Sequence, residues 1–358
     1  MTPITAASTG SGPAGLTVPE RIQRAVFTAL GRIPATVLRR LVPPTVNSDG
    51  DVMEPEVALL MRFAAGQPDF SDGSVADARA AMETDCRVFA DRSATVEVDS
   101  GIVLPSGIRA SLYRPAVRSS GLVLFLHGGG FVLGSRRAYD SPARLIAARA
   151  GVKVLSIEYR LAPEAPFPAP LDDAWEAWRF AVERCPDWGV DPARIVLLGD
   201  SAGANLCAVL SNQLQGEDRR PRMQVLMYPV VDAVGDYRSR EEFAGNPALS
   251  VKQIEWLSRL YLPNATDRSD PRVSPILAED LSGVPATLIT VAGFDPLRDE
   301  AIAYAKRLND FGVPTRLFRE GGLVHGYLSM TQISPAARDA VDRVAAVISR
   351  AVGAERQR

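Results

Sequence analysis

The sequence predicts an α/β fold: an eight-stranded, mostly parallel sheet with helices on both faces and a helical cap. Two observations carry this. From about residue 95 onward, short apolar runs alternate with longer helical stretches, and that alternation implies parallel strands joined by crossover helices. A serine, an aspartate and a histidine each follow one of the apolar runs. That puts them at the C-terminal edge of the strands, where open α/β sheets bind their ligands.

In chain order, residues 1–18 read as a disordered tail, without the basic segment or apolar core of a secretion signal. Residues 19–92 are helix-rich, over Glu20 to Leu30, Glu56 to Phe63 and Val75 to Met82. Thr95 to Val98 and Ile108 to Tyr113 read as an antiparallel pair of strands, with a turn at Pro105-Ser106-Gly107. Further strands are expected near 122–127, 152–159, 194–199, 224–230, 286–292 and 314–319, and helices near 138–150, 170–184, 202–215, 297–311 and 333–352. Residues 232–280 break the alternation with a loop and one helix, Val251 to Tyr261. The core is therefore 93–231 plus 281–358, with 232–280 inserted into it.

The most informative segment is Gly199-Asp200-Ser201-Ala202-Gly203, between the apolar run ending at Leu198 and the helical run from Ala204. A Gly-x-Ser-x-Gly at a strand-to-helix turn needs small flanking residues, because the tight backbone crowds itself and pushes the serine hydroxyl outward. Leu122 to Leu126 ends in His127-Gly128-Gly129-Gly130. Successive glycines expose main-chain N–H groups, as an oxyanion hole requires, and the N–H of Ala202 lies beside them in that arrangement. No Gly-Lys-Ser/Thr or Gly-x-Gly-x-x-Gly accompanies the loop, so phosphate and dinucleotide binding are disfavoured. A serine nucleophile needs a base. The chain has two histidines; His127 leads the glycine loop, which leaves His325 as the base. The acid should lie between serine and histidine along the chain. Asp295, at the end of the run 286–292, is favoured over Asp299, which falls in the first turn of the next helix, where a carboxylate often only complements the helix dipole.

Net charge is −2 with mixed signs, so nothing points to nucleic acid. Cys86, Cys185 and Cys207 lack metal-ligand spacing and read as small buried residues. No metal or organic cofactor is expected. No apolar run approaches the roughly 20 residues of a membrane span, and a cytoplasmic location is the default. The two irregular regions, 19–92 and 232–280, are expected to pack together as a lid that excludes water and supplies an apolar pocket. The alternative is that the N-terminal helices brace the sheet elsewhere. Phe243, Trp256 and Tyr261 read as helix core rather than pocket wall.

Taken together, His127-Gly-Gly-Gly130, Tyr159-Arg-Leu-Ala-Pro-Glu164, Gly199-Asp-Ser-Ala-Gly203, Asp295-Pro-Leu-Arg-Asp-Glu300 and His325-Gly326 resemble the hormone-sensitive-lipase family of α/β-hydrolases, over about residues 55–350. The resemblance implies the α/β-hydrolase fold and a carboxylesterase acting on short- to medium-chain esters. It implies Ser201 as nucleophile, His325 as base and Asp295 as the acid that orients it. Oxyanion donors would be Gly129, Gly130 and Ala202. His127, Gly128, Asp200 and Glu164 would support the site. The implied ligand is a small-molecule ester, and related esterases often pair, which leaves a homodimer open. Rivals on the same triad are amide or peptide cleavage and long-chain lipid hydrolysis. No apolar surface segment for interfacial binding stands out in the sequence, which lowers the lipase reading. A non-catalytic binding protein is disfavoured because His325 is retained.

Overall fold

The computed structural model describes residues 16–91, 94–117 and 119–353. Its single eight-stranded sheet is made of β1 (Glu97–Val103), β2 (Arg109–Arg114), β3 (Leu122–Leu126), β4 (Lys153–Ile157), β5 (Ile195–Asp200), β6 (Met223–Met227), β7 (Thr287–Phe294) and β8 (Thr315–Val324). The strand order is β1-β2-β4-β3-β5-β6-β7-β8. β1 and β2 pair antiparallel, as do β2 and β4, and every later pairing is parallel.

Central strands are apolar on both faces because both faces are covered. Leu122, Leu124 and Leu126 of β3 point into one core layer, and Val123 and Phe125 into the other. The first layer is closed by α6 (Ala169–Arg184), α7 (Ala202–Gln213) and α10 (Arg298–Asp310), through Trp178, Leu206, Leu210, Tyr304 and Leu308. The second is closed by α5 (Asp140–Ala150) and α11 (Pro335–Ala351), through Ile146, Val341, Val344 and Ile348. Each large apolar side chain taken out of water this way contributes about 1.5–3 kcal/mol. Register keeps the faces aligned: Val123 sits opposite Val154 on β4 and Val196 on β5.

Ahead of the sheet lie α1 (Val18–Leu30), α2 (Ala35–Leu41), α3 (Pro55–Ala64) and α4 (Val75–Phe89). The tail expected over 1–18 falls outside the described residues up to residue 15, and Thr17 already caps α1 in a capping box with Glu20. Phe27, Val57 and Met61 join the layer that α5 and α11 close, so α1 and α3 do brace that face. The two irregular regions also meet. In the inserted segment, α8 (Arg238–Glu242) is followed by α9 (Val251–Tyr261). Gln253 on α9 donates to Asp69 at 3.1 Å, and Phe70 meets Trp256 edge-on at 5.8 Å. Phe243 and Tyr261 are buried, while Trp256 is only partly so.

Two sequence expectations change. β8 does not stop near 319: Gly321 and Gly322 lie inside the strand, and Val324 still pairs with Phe294 beyond a bulge. Glycine is needed at this crossing, because a Cβ on Gly293 would stand 2.0 Å from the Gly321 carbonyl oxygen. An apolar surface segment also exists. Val18, Ile22 and Val26 on α1 are exposed side chains. Among the described residues no helix is long and apolar enough to cross a membrane.

Candidate active site

Ser201 sits between β5 and α7 at φ 52° and ψ −117°. That region is strained for a residue with a side chain, and neighbours hold it. Its N–H donates to the Met227 carbonyl at 2.9 Å, and its own carbonyl accepts from Asn205 at 3.1 Å. The flanking glycines are obligatory. A Cβ on Gly199 would come within 2.3 Å of the Gly203 carbonyl, and one on Gly203 within 2.0 Å of the Leu126 carbonyl oxygen. Helix α7 therefore starts hard against β3, with its positive N-terminal end at the serine.

His325 follows β8, and Gly326 turns the chain in the left-handed region at φ 76°. The imidazole Nε2 lies 2.9 Å from Ser201 Oγ, and Nδ1 lies 2.8 Å from Asp295 Oδ2. Because a carboxylate only accepts, Nδ1 carries the proton and Nε2 is left as the acceptor facing the hydroxyl. Asp295 is fully buried, and its other oxygen accepts the Leu297 N–H at 2.9 Å. Asp299 points elsewhere: it accepts from Ser239 N–H and pairs with Arg298 at 2.7 Å. Tyr228 lies edge-on to the His325 ring at 4.9 Å.

His127 takes no part in that chain. Its ring is sandwiched between Tyr159 at 4.3 Å and Tyr139 at 5.3 Å, and Nδ1 donates to the Gly128 carbonyl at 2.8 Å. Burial pushes its pKa down to about 4, so the ring is neutral and serves as a rigid plate under the loop. The Tyr159 hydroxyl donates to the His127 carbonyl at 2.6 Å.

The glycine loop is tied to the serine turn through Asp200. Its Oδ1 accepts the Gly128 N–H at 2.8 Å, and Oδ2 accepts from the Tyr139 hydroxyl at 3.2 Å and the Tyr228 hydroxyl at 3.4 Å. A side chain on Gly128 would strike Asp200 Oδ2 at 2.5 Å. Beyond it, Gly129, Gly130 and Phe131 all have positive φ, at 113°, 62° and 64°. Among the described residues, no acceptor takes the N–H of Gly129, Gly130 or Ala202. Leu257 of α9 lies over the loop, where a Cβ on Gly130 would meet its side chain at 2.5 Å.

Glu164 is an exposed carboxylate that reaches the site only through Arg79 of α4. The two make a double hydrogen bond at 2.7 and 2.8 Å, which holds the Glu164 pKa down at about 2. The same guanidinium donates to the Val132 carbonyl in the glycine loop and to the Ala162 carbonyl, each at 2.8 Å. One turn on, Glu83 of α4 takes a hydrogen bond from Ser135. Sequence reasoning found neither Arg79 nor Tyr228. Tyr228 directly follows a strand at the reactive edge, a position that could have drawn notice. Arg79 sits among alanines in a remote helix and gives no local signal.

A continuous hydrogen-bond chain from a buried carboxylate through an imidazole to a hydroxyl, beside unpaired main-chain donors, is equipped for acyl transfer. The comparisons with known proteins agree. A family model described as α/β hydrolase fold matches residues 123–329. The chain is 39% identical over 302 residues to carboxylic ester hydrolase LipN of Mycobacterium tuberculosis, covering 81% of this chain and 80% of that protein. It is 38% identical over 270 residues to ethyl acetate hydrolase of Pseudomonas putida, covering 74% and 82%. Among solved structures, the hyperthermophilic esterase of Pyrobaculum calidifontis superposes with a TM-score of 0.78 at 34% identity, over 83% of this chain and 98% of that one.

Proposed function

Because this chain belongs to the hormone-sensitive-lipase-like family of α/β-hydrolases, we propose that its hydrolysis of short- to medium-chain carboxylic esters runs through Ser201, His325 and Asp295. The observation that carries the residue assignment is the unbroken hydrogen-bond chain from Asp295 through His325 to Ser201, at 2.8 and 2.9 Å.

Ser201 Oγ attacks the ester carbonyl carbon while its proton passes to His325 Nε2. Asp295 stabilises the imidazolium and fixes its tautomer without taking the proton. The carbonyl oxygen becomes an oxyanion on the N–H groups of Gly129, Gly130 and Ala202, each such donor being worth about 10²–10³ in rate. Collapse breaks the ester C–O bond, and the alcohol leaves with the proton from Nε2. Water then attacks the acyl-enzyme, gives its proton to Nε2, and the acid departs as Ser201 recovers its hydrogen.

We read residues 19–92 and 232–280 as the cap over this edge. The hydrogen bond from Gln253 to Asp69 and the seat of Leu257 on Gly130 support it. A cytoplasmic setting fits three cysteines that are all unpaired.

The test is turnover of p-nitrophenyl esters of rising chain length by the wild type and by Ser201→Ala. The wild type should peak at short chains. Ser201→Ala should lose at least about 10⁴-fold in kcat, keep its circular dichroism spectrum and escape labelling by a fluorophosphonate. Undiminished turnover in the variant would remove Ser201 from its role, and a long-chain optimum would make the enzyme a lipase.

A further inference from the structure

Helix α1 has two unlike sides. Inward, Phe27 is buried against Phe63 at 5.5 Å and Phe89 at 5.1 Å. Outward, Val18, Ile22, Ala25, Val26 and Ala29 are all exposed, with Val18 at 68%, Ile22 at 60% and Val26 at 51%. That spacing is one face of a helix. The face is apolar along its length, and nothing among the described residues covers it. Helix α2 adds Leu41 and Val37, one turn apart, at 71% and 44% exposure.

Charge points to what covers it. Residues 18–41 carry Arg21, Arg24, Arg32, Arg39 and Arg40 against Glu20 alone, a net charge of +4 in a chain whose total is −2. Glu20 is already paired with Arg87 at 2.9 Å. Arg21, Arg32 and Arg40 are exposed, and so is Arg39, which pairs with Glu54 at 3.7 Å. Exposed aliphatic side chains flanked by guanidinium groups suit an interface that is oily inside and anionic at its rim. A nucleic acid would leave the aliphatic face in water. A phospholipid surface takes both, with valine and isoleucine at the acyl boundary and arginine on the phosphates.

We propose that α1, with α2 following it, docks the protein onto an anionic phospholipid bilayer. In linear order Val18, Ile22 and Val26 are interrupted by Glu20, Arg21, Gln23 and Arg24; only the helix gathers them into an apolar surface, so no continuous apolar segment shows in the sequence. The consequence lies beyond the ester chemistry. Helix α1 packs on α4, the helix that holds the glycine loop, so docking would set the cap beside a phase in which apolar esters dissolve.

The full chain is sedimented with vesicles of mixed phosphatidylglycerol and phosphatidylcholine, and with phosphatidylcholine alone. The expected result is binding to the anionic vesicles that weakens with added salt. The double variant Ile22→Glu/Val26→Glu should bind them about tenfold or more less well, while hydrolysing a soluble p-nitrophenyl ester at the wild-type rate. Absence of binding to anionic vesicles, or equal binding by the double variant, overturns the proposal. So does light scattering that finds a wild-type dimer and a monomeric double variant, which would give the face to a second copy of this chain. Ester turnover is read separately, so an inactive wild type would count against the hydrolase reading and leave the vesicle result standing.

Discussion

Asp200 stands one residue before Ser201 with its carboxylate buried, and the three groups that donate to it, Gly128 N–H and the hydroxyls of Tyr139 and Tyr228, are all neutral. Burial therefore dominates and raises its pKa from 3.8 to about 6. A carboxyl that holds its proton more tightly when folded stabilises the native state below its unfolded pKa, and that contribution is lost as pH rises through about 6. Asp200→Asn keeps an acceptor for the Gly128 N–H and does not titrate. Between about pH 4 and 6.5 the wild type should lose roughly 2 kcal/mol of unfolding free energy that the variant does not lose. Urea titrations across that range check it, and parallel curves would refute it. At this scale the sequence was legible where chemistry demands a rare residue type. With two histidines in the chain, the partner of Ser201 followed from need. Asp295 was separable from Asp299 by its place at a strand end. Arg79 and the Asp200 tyrosine cage were not legible, since their partners are remote in sequence and carry no motif.

Helix α4 reaches the glycine loop at two points one turn apart, Arg79 to the Val132 carbonyl and Glu83 to Ser135. Between these anchors and the Ala162 N–H bonded to the Phe131 carbonyl at 2.9 Å, the loop holds four residues at positive φ, Gly129, Gly130, Phe131 and Gly134. A strained non-glycine such as Phe131 costs about 1–3 kcal/mol and persists only when its surroundings over-determine it. Arg79→Ala should release the loop and lower kcat by about 10–100-fold, with KM changing only a few-fold, because the misplaced donors act on the transition state. Arg79→Lys should rescue poorly, since one ammonium cannot replace a fork that meets two carbonyls and a carboxylate. Steady-state kinetics beside a thermal melt would check this; an unchanged kcat in a folded Arg79→Ala would dismiss the tie. The strands themselves were legible because strands buried on both faces are apolar throughout. The end of β8 was not, because a Gly-Gly pair signals a loop unless the neighbouring backbone is known to press against it.

Across the whole molecule, the fully buried Arg298 fastens distant segments to one another. Its guanidinium donates to the Gly293 carbonyl at 3.1 Å, pairs with Asp299 at 2.7 Å, Asp49 at 3.3 Å and Glu242 at 3.4 Å, and lies over the Phe243 ring at 5.3 Å. It thereby joins the segment before α3, the segment around α8 and the end of β7. Removing Arg298 would leave Asp299 without its ion pair, while Asp49 keeps Arg238 and Arg319 and Glu242 keeps Ser48. Arg298→Met should cost about 3 kcal/mol of unfolding free energy, with turnover preserved below the lowered melting temperature. Calorimetry together with a low-temperature assay tests it, and an unshifted melt would deny Arg298 this role. The alternation of strands and helices was readable over the core because periodicity is local. The stitching of residues 46–54 and 232–280 onto the core was not, because it rests on single side-chain bonds between segments remote in sequence, such as Asn47 to the Gly293 carbonyl, 246 positions apart, and Asn246 to the Phe294 carbonyl, 48 apart. The division of anchorage matters for anyone recombining such enzymes. Ser201, His325 and Asp295 hang from strand ends, while the amides opposite them lean on a helix from the N-terminal third. Chimeras that borrow a foreign N-terminal segment would inherit the Ser201–His325–Asp295 hydrogen-bond chain facing an unsupported glycine loop, unless the incoming helix also brings a guanidinium to the place of Arg79.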